Sequence, residues 1–181
     1  MPIQDIINQC SPTLAGLKTG SLFSARMKSR RQINEEIHDL NMILHKKGLR
    51  AVPLRYMKDK VLIYIYRPDR LEEDLRQADA EAILKEQGYT TGHAGLCLVQ
   101  LIRRLREDPG FPHEIGLFLS YPPSDVRCFM EDPCHGMQCV GCWKVYSNKE
   151  EAERTFLKYK KCTEIYARRI REGRTLEQLI V

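Results

Sequence analysis

Residues 51–66 read AVPLRYMKDKVLIYIY, and this stretch decides the fold class. Its two runs rich in β-branched and aromatic residues, Ala51 to Tyr56 and Lys60 to Tyr66, flank the polar Met57-Lys58-Asp59. Such runs suit a pleated, half-buried surface, and a short polar break between them is a turn signal, so the segment predicts a β-hairpin. VLIYIY supplies the sheet.

Upstream, apolar residues recur at Ile33, Ile37, Leu40 and Leu44, the rhythm of an amphipathic helix. Gly48 ends it, and Leu49 is placed to fold back on the last turn as in a Schellman cap. Downstream, Asp69 with Glu72 opens a short helix through Gln77, and Asp79 opens another that Gly88 closes. Both carry few apolar positions and are expected at the surface. Ala94, Cys97, Leu98, Leu101, Ile102 and Leu105 form a continuous stripe, which predicts a core helix from about His93 to Glu107 with Cys97 as a buried small hydrophobe.

Pro109-Gly110 and Pro112 then break the chain before the short apolar run Ile115 to Leu119, which reads as a buried strand. Pro122-Pro123 ends that run, and a short helix follows toward Glu131. A cysteine loop occupies Asp132 to Cys142, and Trp143 to Tyr146 reads as another strand. The last helix starts near Ser147-Asn148 and buries Ala152, Phe156, Tyr159, Thr163, Tyr166 and Ile170, with Cys162 at the edge of the stripe. Together these elements predict an α+β (or α/β) single domain over residues 1–181, with a small mixed sheet of about four strands flanked by helices.

At 181 residues, 43% hydrophobic and 29% charged, the chain can bury one core. It shows no export signal at its N-terminus and no run of about eighteen apolar residues, so a cytoplasmic protein with no membrane partner is expected. The net charge of +5 is spread over clusters at Arg26 to Arg31, Arg103 to Arg106, Lys158 to Lys161 and Arg168 to Arg174. No helix-turn-helix or aromatic-interleaved RNA-binding motif accompanies them, so the partner is expected to be a small molecule or a protein rather than nucleic acid.

In a reducing compartment seven cysteines point to metal, catalysis or burial. Cys134, Cys139 and Cys142 have the spacing Cys-x4-Cys-x2-Cys, and Cys162 lies downstream on the last helix. Thiolates two residues apart in a tight loop can share one metal, so these four predict a zinc or [2Fe-2S] site. Trp143 would shield it, and His135 is a solvent-facing loop residue or a substitute for one cysteine. The competing reading is that Cys142 and Cys162 simply pack between the last strand and the last helix. Because Cys139-Val-Gly-Cys142 precedes a strand rather than opening a helix, a thioredoxin fold is disfavoured.

Cys10 precedes Ser11-Pro12, and proline favours the first turn of a helix, so Cys10 is expected at a helix N-terminus, where the dipole stabilises a thiolate. His113 stands before the predicted strand at Ile115. That order matches papain-like thiol enzymes, with Glu114, Asp125 or Asn148 available to orient the imidazole. The alternative is a buried Cys10 and a turn His113. His113-Glu114 does not extend to His-Glu-x-x-His, which sets a zincin aside. Lys18 and Arg67, with Arg26 and Lys144, could form an anion pocket if the N-terminal loop folds over the sheet edge. Gly16-x3-Gly20 lacks the flanking elements of a phosphate loop.

The blocks CSPTLAGLKTGSLFS, VLIYIYRPDRL, PHEIGLFLSYPPSDV and VGCWKVYSNKEEAERTFLKYKKCT, spread over nearly the whole chain, resemble a family of small bacterial proteins, mostly from anaerobic Firmicutes, known as a domain of unknown function. The resemblance implies no activity, but it places Cys10, His113, Cys142 and Cys162 inside the shared blocks. Three classes of function follow. The default is a binding protein, the sharpest enzymatic expectation is a thiol-dependent hydrolase or transferase using Cys10 and His113, and the alternative is a metal or Fe-S redox protein using the late cysteines.

Overall fold

The computed structural model describes residues 1–107 and 110–181. Pro109, read from sequence as part of a chain break, lies outside the described residues. The fold is α+β, and the chain divides into two compact units, Met1–Pro68 with Lys161–Val181 and Asp69–Lys160.

The first unit is built on a three-stranded antiparallel sheet of order β1-β3-β2, made of β1 (Gly20–Arg26), β2 (Arg50–Tyr56) and β3 (Lys60–Tyr66). The predicted hairpin is β2-β3. β1 runs antiparallel to β3 from Gly20 opposite Tyr66 to Arg26 opposite Lys60. Both outer strands are edges. β2 carries Pro53 and a register shift between Pro53 and Arg55, as expected where proline can only be tolerated at a sheet edge.

Alternation decides the faces. Phe23 and Ala25 of β1, Ala51 of β2 and Val61, Ile63 and Ile65 of β3 form the core face. Against them pack α1 (Ile3–Leu14) through Ile6, Ile7, Cys10 and Leu14, and α2 (Arg30–Leu44) through Ile33, Ile37, Leu40 and Leu44. Leu176 of α9 (Leu176–Leu179) and Ile180 complete the cluster. Gly48 adopts φ 71° after a single 3-10 turn at His45–Lys47, and the Leu49 amide donates to the Leu44 carbonyl at 3.0 Å. This is the predicted Schellman closure, with Leu49 fully buried as its apolar lid.

The second unit is largely helical. It holds α3 (Pro68–Leu75), α4 (Ala78–Glu86), α5 (Ala94–Glu107), α6 (Ile115–Phe118), α7 (Pro123–Glu131), the hairpin of β4 (Cys139–Val140) and β5 (Lys144–Val145), and the first turns of α8 (Lys149–Arg171). Two buried acids organise it. Glu114 accepts from the Tyr89 hydroxyl at 2.9 Å and from Arg104 at 2.6 Å. Asp125 accepts from the Trp143 indole at 2.8 Å, from the Tyr146 and Ser147 amides at 2.9 Å each, and from the Ser147 hydroxyl at 2.8 Å, so it ties α7 to the chain leaving β5.

The structure corrects the strand count and the sheet. Ile115 to Leu119 is a helical turn, closed by the Leu117 amide on Glu114 and the Leu119 amide on Gly116. Ile115, Gly116, Leu117 and Phe118 are all buried, so the run shows no periodicity by which helix and strand could be told apart. Trp143 to Tyr146 shortens to Lys144–Val145, which pairs with Cys139–Val140 in a separate two-stranded sheet. The sheets are wholly antiparallel rather than mixed, and the third strand of the main sheet is β1.

Candidate functional site

Cys10 is not at a helix start. It lies inside α1, whose N-cap is Pro2, and Pro12 sits within the same helix. Its side chain is fully buried in the core, and burial pushes the thiol up to about 12, with the Lys18 charge offsetting only part of that rise. A thiolate there is disfavoured, because desolvation penalises the charged form. His113 is exposed in the turn before α6 rather than at a strand mouth, with its ring edge-on to Phe129 at 4.9 Å. Cys10 belongs to the first unit and His113 to the second.

The late cysteines differ in setting. Cys134 and Cys142 are exposed, Cys139 is half-buried, and Cys162 is buried, its thiol pushed up to about 11 by that burial. Among the described residues no group of three or more His, Cys, Asp or Glu side chains is placed to hold a metal ion. The backbone of the loop is held instead by Asp132, which accepts from the Cys134 and His135 amides at 2.9 and 3.2 Å.

Of the two proposed anion ligands, Arg67 turns its guanidinium toward the end of α1. It donates to the carbonyls of Thr13 and Leu14 at 3.0 and 2.9 Å and to the backbone oxygen of Val181. Terminal helix carbonyls lack intrahelical donors, and Arg67 supplies them. Lys18 is half-buried near Cys10. Lys144 donates to the Pro133 carbonyl at 3.0 Å and covers the Phe129 ring.

In the second unit, Ser120 takes the left-handed conformation at φ 58°, and its hydroxyl donates to Asp74 at 3.2 Å. Asp74, Ser120, Tyr121 and Pro122 line a cavity of about 150 Å³. The Tyr121 hydroxyl donates to the Cys142 carbonyl at 2.9 Å. Burial above all pushes both the Tyr121 and Tyr159 phenols up to about 12. At its size the cavity accepts a few waters or one small functional group.

A much larger groove of about 710 Å³ lies in the first unit. Asp5, Asn8 and Gln9 form one wall from the solvent side of α1. The sheet forms the other, through Leu22, Ser24 and Arg26 of β1 and Lys60 and Leu62 of β3. These sheet residues share the face opposite the core, since Ser24 pairs with Leu62 and Arg26 with Lys60. Phe23 also lines the groove, yet its side chain is in the core and only 3% exposed, so what it presents is backbone. The groove thus follows the outer edge of β1.

That edge is open. β1 pairs only with β3, and among the described residues no backbone hydrogen bond other than the β3 ladder reaches residues 21–25. Alternate residues of such a strand aim N–H and C=O groups outward. The cations are open as well. Arg26 and Lys60 stand directly opposite each other, and neither forms an ion pair among the described residues, not even with Asp5. Like charges in that register destabilise a sheet. Of this set the sequence marks only Arg26 as a possible anion ligand, and nothing in its neighbours signals that it faces Lys60 across a strand pair.

Among the described residues no helix is long and apolar enough to cross a membrane. Among curated proteins and among solved structures, nothing matches the chain. The family profile described as "Protein of unknown function (DUF3793)" matches residues 6–180, nearly the whole chain, and the chain therefore belongs to that family.

Proposed function

We propose that this protein is a binding module that receives an extended segment of a partner protein along β1, adding a strand to its sheet. The observation that carries this reading is the unpaired β1 edge lying inside a groove with Leu22 and Leu62 on its floor. In strand addition, main-chain hydrogen bonds supply affinity while alternate side chains find pockets. The groove offers both, with apolar floor and polar walls. β1 spans Gly20–Arg26, a usual strand length, so the added segment is about six residues. The thiol-enzyme reading has less support, because the Cys10 environment opposes the thiolate it needs.

The test uses a fluorescein-labelled peptide of about ten residues alternating threonine and valine, with hydrogen exchange as a second readout. Binding should raise anisotropy saturably and slow exchange at outward-facing β1 amides. N-methylation of alternate peptide amides in one register should abolish binding, while the other register is tolerated. Absence of binding, or binding indifferent to both methylation patterns, overturns the reading.

A further inference from the structure

Resting on that reading, we infer that the incoming strand carries an acidic residue opposite Arg26 and an apolar residue opposite Leu22. The groove is chemically graded along β1. At the Gly20 end the sheet face offers Leu22, with Leu62 two pairs further along, opposite Ser24. At the other end it offers Arg26 with Lys60 directly across on β3. A strand laid beside β1 places its same-face side chains level with Leu22, Ser24 and Arg26 in turn, because side chains alternate with period two. An acid level with Arg26 faces that cation across one strand spacing, and Lys60 lies in the same line one strand further in, about 9.5 Å away, where its long side chain reaches toward the acid.

The same end of the unit is rich in further cations. Lys28 follows β1, and Lys58 stands in the β2-β3 turn, and neither forms an ion pair among the described residues. Arg30 lies over the Tyr56 ring at 5.0 Å. These charges raise the local potential that an acidic segment would meet. Edge charges can instead serve only to deter unwanted strand pairing. Against a purely protective role stands the apolar floor at Leu22 and Leu62, which a guarded edge has no need to present.

The experiment compares three labelled peptides with valine for the Leu22 position and glutamate, glutamine or lysine for the Arg26 position, on a threonine background. At low salt the glutamate peptide should bind roughly three- to tenfold more tightly than the glutamine peptide, as expected for one acid against two exposed cations. The advantage should shrink at high salt. The doubly substituted protein, Arg26→Glu with Lys60→Glu, should prefer the lysine peptide. Both positions are exposed, so circular dichroism should show an unchanged fold.

Equal binding of all three peptides at every salt overturns this inference while leaving strand addition intact. Failure of the threonine-valine peptide itself overturns strand addition. If vesicles containing phosphatidylglycerol bind with dependence on Arg26 and Lys60 while glutamate confers no advantage, the cations serve a lipid surface and the inference is again overturned.

Discussion

Removing the Asp125 carboxylate should loosen the attachment of the β4-β5 hairpin more than any other single polar substitution on α7. The side chain is 2% exposed and accepts four hydrogen bonds, from the Trp143 indole, the Tyr146 and Ser147 amides and the Ser147 hydroxyl. Asp125→Ala leaves the Tyr146 amide, in a residue only 9% exposed, without a partner, at a cost of about 1–3 kcal/mol. Trp143 is half-buried and Ser147 exposed, so water can recover part of their bonding, and together they add about 1–2 kcal/mol. A total of about 2–5 kcal/mol corresponds to roughly 4–20 °C in Tm for a chain of this size. Asp125→Asn should cost about half as much. Its remaining oxygen can serve the two amides, but its NH2 then faces the Trp143 N–H, donor against donor. Trp143 is the single tryptophan, so its emission during urea unfolding reports the affected contact itself. A loss under about 1 kcal/mol for the alanine variant, with Trp143 emission unchanged, would refute the reasoning.

Two further outcomes follow from buried contacts. The Cys10 thiol is raised from 9.0 to about 12, so the folded state holds its proton more tightly than the unfolded chain does. The associated stability is complete below pH 9 and fades as pH rises toward 12. At about 1.4 kcal/mol per pH unit, roughly 2 kcal/mol should be gone by pH ~10.5. Cys10→Val lacks this loss, so urea midpoints of wild type and variant should diverge between pH 8 and ~10.5 in the variant's favour, and an unchanged gap would count against burial as the cause. Under native conditions iodoacetamide should label Cys134 well before Cys10, and mass spectrometry of labelled peptides would reveal the opposite order. Gly141→Ala places a methyl group inside the Phe156 ring, which itself meets Trp143 edge-on at 4.6 Å. Overpacking there should cost about 1–3 kcal/mol and shift Trp143 emission, whereas a silent substitution would mean that the hairpin moves aside freely.

Elements with long periodic stripes were legible from sequence. The α2 stripe with its Gly48-Leu49 closure, the α5 stripe and the β2-β3 hairpin all form where apolar spacing and turn chemistry agree. β1 was missed because GSLFSAR alternates through small residues, with Ser21 and Ala25 at core-facing positions that look neutral in sequence. Ile115 to Phe118 misled for the opposite reason, since burial on every side erases the alternation that tells strand from helix. Cys10 misled through Pro12, which lies near the end of α1 while Pro2 opens it. The groove was illegible as such. Asp5, Arg26 and Lys60 are far apart in sequence, and only the antiparallel return of β3 beside β1 brings the two cations level.

The two margins of the main sheet are unequal. On β2, Pro53 cannot donate, and the register shift beside it twists the strand out of line, so that side is closed to further pairing. On β1 the margin is regular throughout. A sheet with one closed side can grow once and then stops. Two copies meeting through β1 would each use their single open side and form a closed two-fold pair, with no edge left to recruit a third. Were β1 to take up a strand, this asymmetry would limit growth of the sheet to that one addition.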